Sequence, residues 1–407
     1  MSSLRLAPIF KHPRVIFSDS VCTLDDALYV SVPMLVDNYG QIIWPISSWL
    51  RELRIDHSSP LTVKQYAYSL SLFWGFLQRQ RHNGRSGRHW STVDDAVLRS
   101  WRSELGTRSG RHDKLLEPAT INSHLEVVLA FYRWAQEHRF CEDIIGVTVD
   151  GQAPYPIRLV RRRNRGYWTL SSDLLYRIPR KSRRPIPTRL EIANLYIQLG
   201  GPNPKNVRDC LMCRWACGSG LRVTELLSLT KDHLPSESEC LSVQKDGKVL
   251  WIKIVGKNSK ERRVPVLPDI LLETFDYIDT ARVELLRKSG NYSTKELFVG
   301  ANSGQKLSRE EASRIVSSGF RRAGNRDLTL HRLRARFTSL LVQELRREEQ
   351  NRSGLAGYRE LTILERAAEI LGHSDLESLR YYLNVDLDKD DVAARMAMTK
   401  ASAPKRD

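Results

Sequence analysis

The stretch Leu371-Gly-His-Ser-Asp-Leu-Glu-Ser-Leu-Arg-Tyr-Tyr-Leu-Asn-Val385 decides how the rest of the chain is read. It places His373 nine residues before Tyr382. A tyrosine hydroxyl, with an ordinary pKa of about 10, is a poor nucleophile until positive charge surrounds it. The remainder of the sequence therefore has to show where cations and proton donors come from.

Positive charge is abundant. Lys and Arg number 64 against 47 Asp and Glu, a net charge of +17 over 407 residues. The basic residues are spread over several segments with their own apolar periodicity, so the expected partner is a folded-domain polyanion ligand, nucleic acid first. The plain alternative is a merely basic surface. Apolar residues make up 41%, which fits a globular chain of two or three domains. No run of about 18 uncharged apolar residues occurs, and the opening Met-Ser-Ser-Leu-Arg-Leu-Ala-Pro lacks a long apolar core. No membrane association and a cytosolic location are expected. Cys210, Cys213 and Cys217 share one helical face, with no fourth ligand at a metal-site spacing, and read as reduced core cysteines. Neither a metal nor another cofactor is expected.

Taken in order, residues 1–58 read as an appended segment. The strand-like runs Leu28–Val36 and Gln41–Trp44 flank an Asp37-Asn-Tyr-Gly40 turn and could form a small sheet. Residues 59–150 have helical periodicity. Thr62 with Gln65 reads as a capping box, Asp94 and Asp95 open a second helix and Pro118 a third. Lys64 and Arg79 lie off the apolar faces, and Arg81–Arg88 reads as a cationic loop. Residues 151–187 are punctuated by prolines and rich in arginine, including Arg161, Arg162, Arg163, Arg183 and Arg184, and read as a basic interdomain linker. These arginines, with Lys64 and Arg79, are the DNA-contact candidates. Residues 188–390 form the second main domain, opened by a Thr188/Glu191 capping box. Strands are expected at Leu241–Lys245, Val249–Val255 and Arg262–Val266, and helices at 269–288, 308–323, 331–347, 362–371 and 375–383. Gln343–Gly357 reads as a helix end plus an exposed insertion, and 391–407 as a tail in which Val392–Met398 could dock on another protomer.

Four motifs carry chemistry. Gly218-Ser-Gly-Leu-Arg-Val-Thr-Glu-Leu226 holds Arg222 and Glu225 three residues apart, so that Glu225 can brace the local structure while Arg222 faces a phosphate. Alone, the pair could equally be a surface ion pair. The turn Gly256-Lys-Asn-Ser259 carries Lys257, a candidate general acid for a leaving alkoxide, with Lys260 as the second choice. Leu330-His-Arg-Leu-Arg-Ala-Arg-Phe337 places His331 one turn from Arg334; its plain alternative is a basic helix facing DNA without catalysis. The fourth motif is the opening stretch with His373 and Tyr382.

In this order the motifs resemble the tyrosine recombinase (phage integrase) family, over roughly residues 60–390. The resemblance implies a mainly α fold with a small antiparallel β-sheet in the catalytic domain. It further implies a helical core-binding domain and a catalytic domain that close as a C-shaped clamp on duplex DNA. By position, Arg222 and Arg334 match the phosphate-clamping arginines and Lys257 the lysine that protonates the leaving 5′ hydroxyl. His331 and His373 match the family's two histidines, and Tyr382 the nucleophile that forms a 3′-phosphotyrosyl link. Tyr381 falls on an apolar position. The implied activity is cofactor-independent site-specific recombination through a Holliday junction by a homotetramer on paired sites, with accessory proteins in some cases, as in an integrase or transposase of a mobile element. The competing readings are a DNA-binding member that has lost catalysis and a nicking-closing topoisomerase. The chain departs from the family in lacking a histidine after Arg334 and in a long gap between Arg334 and His373.

Overall fold

The structure is a computed structural model. It describes residues 13–17, 22–24, 27–29, 33–56, 59–82, 85–108, 115–149, 154–164, 167–178, 185–256, 261–353, 359–372 and 376–384. The chain divides into two units, Met1–Lys181 and Ser182–Asp407.

The first unit is built on four helices: α1 (Trp44–Ile55), α2 (Pro60–Arg79), α3 (Asp95–Thr107) and α4 (Pro118–Glu137). Trp44 was expected to end a strand, but Ile42 makes only an isolated bridge to Val36, and Trp44 then opens α1 with Pro45 in its first turn. Proline suits the first turn because the amide it lacks would have no intrahelical partner. The cap of α2 also differs from expectation. Ser59, not Thr62, is the N-cap and accepts from the Thr62 amide at 3.2 Å, so the helix begins a turn earlier. Asp94 caps α3 through the Val97 amide at 2.8 Å. The apolar stripes of α2 and α4, including Leu70, Phe73, Leu125 and Tyr132, meet Trp49 and Trp101 in one core.

Short antiparallel pairs decorate this unit: β1 (Arg14–Phe17) with β4 (Pro33–Val36), β2 (Cys22–Leu24) with β3 (Ala27–Tyr29), and β5 (Arg81–His82) with β6 (Arg85–Ser86). The segment expected as a plain linker carries regular structure. β7 (Ile145–Gly146) pairs in parallel with β8 (Ile157–Arg158), and β9 (Val160–Asn164) forms an antiparallel hairpin with β10 (Tyr167–Ser171). Ile157, Leu159 and Leu174 belong to the same core as the helices, which roots the hairpin in this unit.

The second unit contains α5 (Arg189–Leu199), α6 (Pro204–Ser219), α7 (Val223–Leu227), α8 (Glu237–Lys245), α9 (Pro268–Tyr277), α10 (Val283–Ser289), α11 (Arg309–Arg322), α12 (Leu330–Ser353), α13 (Glu360–Leu371) and α14 (Glu377–Arg380). The Thr188/Glu191 capping box closes reciprocally at the start of α5. One expected strand is a helix: Leu241–Lys245 lies in α8. Ser236 caps that helix by accepting from the Glu239 amide, Glu237 and Glu239 stand in its first turn, and Cys240 is buried beneath it. The sheet therefore has two strands, β11 (Leu250–Val255) and β12 (Glu261–Val266), paired from Leu250↔Val266 to Val255↔Glu261. Residues 268–289 are continuously helical, α9 and α10 being joined by a π-helical turn at Ile278–Arg282. α12 runs through Ser353, so the first part of the expected insertion is helix. The last expected helix is split into α14 and a 3-10 turn, Tyr381–Asn384.

Met212, Trp215 and Phe320 lie in the main core of this unit, and Phe337, Leu341, Leu364 and Leu379 in a second cluster. Cys213 is buried, Cys210 and Cys217 are partly so, and no metal-binding cluster occurs among the described residues. Burial pushes all three thiols up, which keeps them protonated and inert. No described helix is long and apolar enough to cross a membrane.

Candidate active site

The site forms where four elements of the second unit meet: the start of α7, strand β12, the first half of α12 and the end of α13. Gly220 begins the arrangement. It ends α6 at φ +64, a left-handed conformation, and a Cβ there would lie 2.3 Å from Phe337 Cδ1. Only glycine satisfies both the turn and the close approach of α12. The turn delivers Arg222 to the N-cap of α7 and Glu225 to its first turn.

Glu225 is the hub. It is 7% exposed and faces three guanidinium groups. Arg262 of β12 donates through Nη1 to Oε1 at 2.9 Å and through Nη2 to Oε2 at 2.7 Å. Arg222 donates through Nη1 to Oε1 at 2.9 Å and through its backbone amide to Oε2 at 2.7 Å. Arg334 Nη1 stands 3.9 Å from Oε2. Burial alone would push this carboxyl up. The hydrogen bonds from Arg262 and then Arg222 outweigh burial and hold it at about 2, against an ordinary 4.5.

The same three arginines grip the end of α13. Arg262 Nε donates to the Ile370 carbonyl at 3.1 Å, Arg334 Nη2 to the Leu371 carbonyl at 2.9 Å, and Arg222 Nη2 to the Gly372 carbonyl. Gly372, at φ +63, terminates α13 and leaves these carbonyls without intrahelical donors. Cations at a helix C-terminus also face the negative end of its dipole. Arg334 is 5% exposed; burial, with the Arg222 charge beside it, lowers it to about 10, so it remains cationic at neutral pH.

Tyr382 reaches this cluster from α14 and the turn after it. Leu379 and Leu383 are buried against α12 and α13, and Arg346 Nη1 donates to the Leu383 carbonyl at 3.1 Å. Tyr382 is half-buried and lies against Tyr381 with ring centroids 5.0 Å apart. Burial raises its phenol, while the charges of Arg332 and Arg334 pull it down. One chain thus supplies both the tyrosine and the arginines near it.

His331 stands exposed in the first turn of α12, one turn before the buried Arg334. Arg332 and Arg336 are also buried, donating to the Pro185 carbonyl at 2.7 Å and the Pro187 carbonyl at 2.6 Å. Lys257, Lys260, His373, Arg183 and Arg184 lie outside the described residues. Of the DNA-contact candidates, Lys64 is exposed on α2, Arg79 pairs with Glu104 at 2.7 Å, Arg162 pairs with Asp173 at 2.6 Å, and Arg161 and Arg163 are exposed on β9. Arg262 is the residue that sequence reasoning missed. It stands at the start of the expected strand Arg262–Val266, but nothing local separates it from Arg263, and only the pairing of β12 turns it inward.

Comparison with known proteins gives the family and the fold. The Phage integrase family model matches residues 189–346, and the Phage integrase N-terminal SAM-like domain model matches residues 46–138. Tyrosine recombinase XerC of Salmonella typhi is 24% identical over 347 residues, covering 84% of this chain and 91% of its own length. Tyrosine recombinase XerD of Staphylococcus epidermidis is 28% identical over 209 residues, 50% of this chain; the chain spans only 60% of that relative's length. A crystal structure of XerH site-specific recombinase bound to palindromic difH substrate, a post-cleavage complex, is similar in fold, with a TM-score of 0.50, 19% identity, and coverage of 83% of this chain and 79% of that one. With both matched domains in order along the chain, and the arginine cluster and tyrosine gathered in the second unit, the chain belongs to the phage integrase (tyrosine recombinase) family.

Proposed function

We propose that the protein is a site-specific DNA recombinase, acting as the integrase or transposase of a mobile element. Tyr382 Oη attacks a backbone phosphorus, the bond to the 5′ oxygen breaks, and a 3′-phosphotyrosyl link forms. The leaving 5′ oxygen takes its proton from Lys257. Arg222 and Arg334 hold the non-bridging oxygens and meet the charge that builds on them, the term that usually dominates such catalysis. His373 hydrogen-bonds the same phosphate, and His331 takes the proton that the Tyr382 phenol gives up as its oxygen bonds to phosphorus. Glu225 and Arg262 hold Arg222 and Arg334 in place without touching substrate. Because the bond energy is retained in the link, rejoining needs only a free 5′ hydroxyl from the exchanged strand. Strand exchange in pairs through a Holliday junction, by a homotetramer on two duplex sites with or without accessory proteins, completes the reading.

The observation that carries it is the gathering of Arg222 and Arg334 on Glu225, with the Arg334 charge acting on the Tyr382 phenol. The test uses a nicked suicide duplex containing DNA from the ends of the element that carries the gene. Wild-type protein is expected to form an adduct that survives denaturation, and Tyr382→Phe to form none while binding the duplex equally well. An adduct that persists in Tyr382→Phe and disappears in Tyr381→Phe overturns the assignment.

A further inference from the structure

The β9–β10 hairpin lies between the two segments that match family models, residues 46–138 and 189–346, and belongs to neither. Its root is fixed. Ile157 and Leu159 before it and Leu174 after it are buried in the core of the first unit, and Arg102 Nη1 donates to the Leu174 carbonyl at 2.7 Å. Its strands stand out in solvent. Register decides what they present: Arg161 is opposite Leu170, and Arg163 is opposite Trp168. Directly paired residues of an antiparallel ladder share a face, so these four side chains form one surface. The other face carries Arg162, already paired with Asp173.

The shared face has an unusual composition for a solvated hairpin. Trp168 is 70% exposed and Leu170 is 47% exposed. Arg161 and Arg163 make no ion pair among the described residues. No acidic residue occurs from Arg158 to Ser171. Two uncompensated arginines rooted about 6.8 Å apart along one strand, beside an exposed indole, match an anionic and amphipathic partner. Duplex DNA is such a partner, and its major groove, about 12 Å wide, admits a two-stranded ribbon.

We propose that this hairpin is a DNA-contacting ribbon, with Arg161 and Arg163 on backbone phosphates and Trp168 and Leu170 against apolar sugar and thymine-methyl surface. The proposal rests on the functional reading above only in taking DNA as the substrate.

The test measures binding of the full chain to a labelled mixed-sequence duplex by anisotropy, between about 50 and 200 mM KCl. Each phosphate contact contributes about 0.9 to the slope of log K against log salt. R161A/R163A is expected to reduce that slope by about 1.8 and to weaken binding roughly 10–100-fold at about 100 mM salt. R161K/R163K, which keeps the charge, is expected to retain the slope. W168A is expected to weaken binding about five-fold with the slope unchanged. All three substitutions are exposed and should leave the melting temperature unaltered. An R161A/R163A protein that melts normally and binds with the wild-type slope and within two-fold of wild-type affinity overturns the proposal. So does a normal slope accompanied by loss of protein–protein assembly in sedimentation, which would make the ribbon a protomer contact. Adduct formation on the suicide duplex is a separate readout. An adduct with an unchanged slope sinks the ribbon and leaves the recombinase reading; a reduced slope with no adduct from any element end does the reverse.

Discussion

At the scale of residues, the site is a small ion cluster whose balance depends on one carboxylate. Removing Glu225 leaves three guanidiniums facing one another in a largely dry space, and breaking such a buried pair costs about 3–5 kcal/mol. Glu225→Gln is expected to destabilise by that order, read from chemical unfolding. The same residue gives a pH signature. Its folded carboxyl titrates at about 2, below its ordinary 4.5, so its stabilisation is fully present above about pH 4.5 and is lost as pH falls towards 2. The wild type should lose about 3 kcal/mol more than Glu225→Gln across that window. Unfolding curves that run parallel in the two proteins would show that Glu225 is not the titrating hub. Arg262→Lys is the companion probe at this scale. Lysine keeps the charge but not the fork that spans both carboxylate oxygens. Adduct formation is expected to slow by at least about ten-fold, a transition-state loss of about 1.4 kcal/mol, with duplex affinity retained. Equal loss of binding and rate would instead point to a collapsed site.

At the scale of elements, the tyrosine depends on how α14 and its following turn seat on α12 and α13. Leu379 is fully buried there. Leu379→Ala should cost about 2–5 kcal/mol of local packing. Because the arginine cluster lies on other elements, this variant is expected to bind DNA normally, form the adduct slowly, and show earlier protease cleavage near residue 380. Normal adduct kinetics would mean that the turn holds Tyr382 without that anchor. The turn between α6 and α7 is similarly constrained. Gly220→Ala combines a left-handed backbone with a clash against Phe337, and should destabilise by about 1–3 kcal/mol or more.

At the scale of the whole molecule, each unit has its own core of aromatic and aliphatic side chains. Chains of residues 1–181 and 182–407 expressed separately are therefore each expected to melt cooperatively by circular dichroism. A non-cooperative melt of either would show that its core is completed by the other. Only the second unit contains Arg222, Arg262, Arg334 and Tyr382, so adduct chemistry, if any survives separation, belongs to that fragment.

The sequence by itself determined the order of the chemical motifs, the helix stop at Gly372, the Asp94 and Thr188 caps and most helix positions. Those signals act over a few residues, through capping oxygens, proline placement and the 3.6-residue period. It misread Leu241–Lys245 as a strand, because a short apolar run fits either period until the Ser236 cap is seen to close. It also took residues 157–171 as linker, since proline and arginine content hid an antiparallel register. What only the tertiary structure decided is which of many arginines matter. Arg262 meets Glu225 across 37 residues, and Arg222 meets the Gly372 carbonyl across 150. Arg332 and Arg336, equally basic in the sequence, are spent on the carbonyls of Pro185 and Pro187. Identical side chains acquire different roles because burial and a shared carboxylate, not local spacing, fix which guanidiniums converge on Glu225.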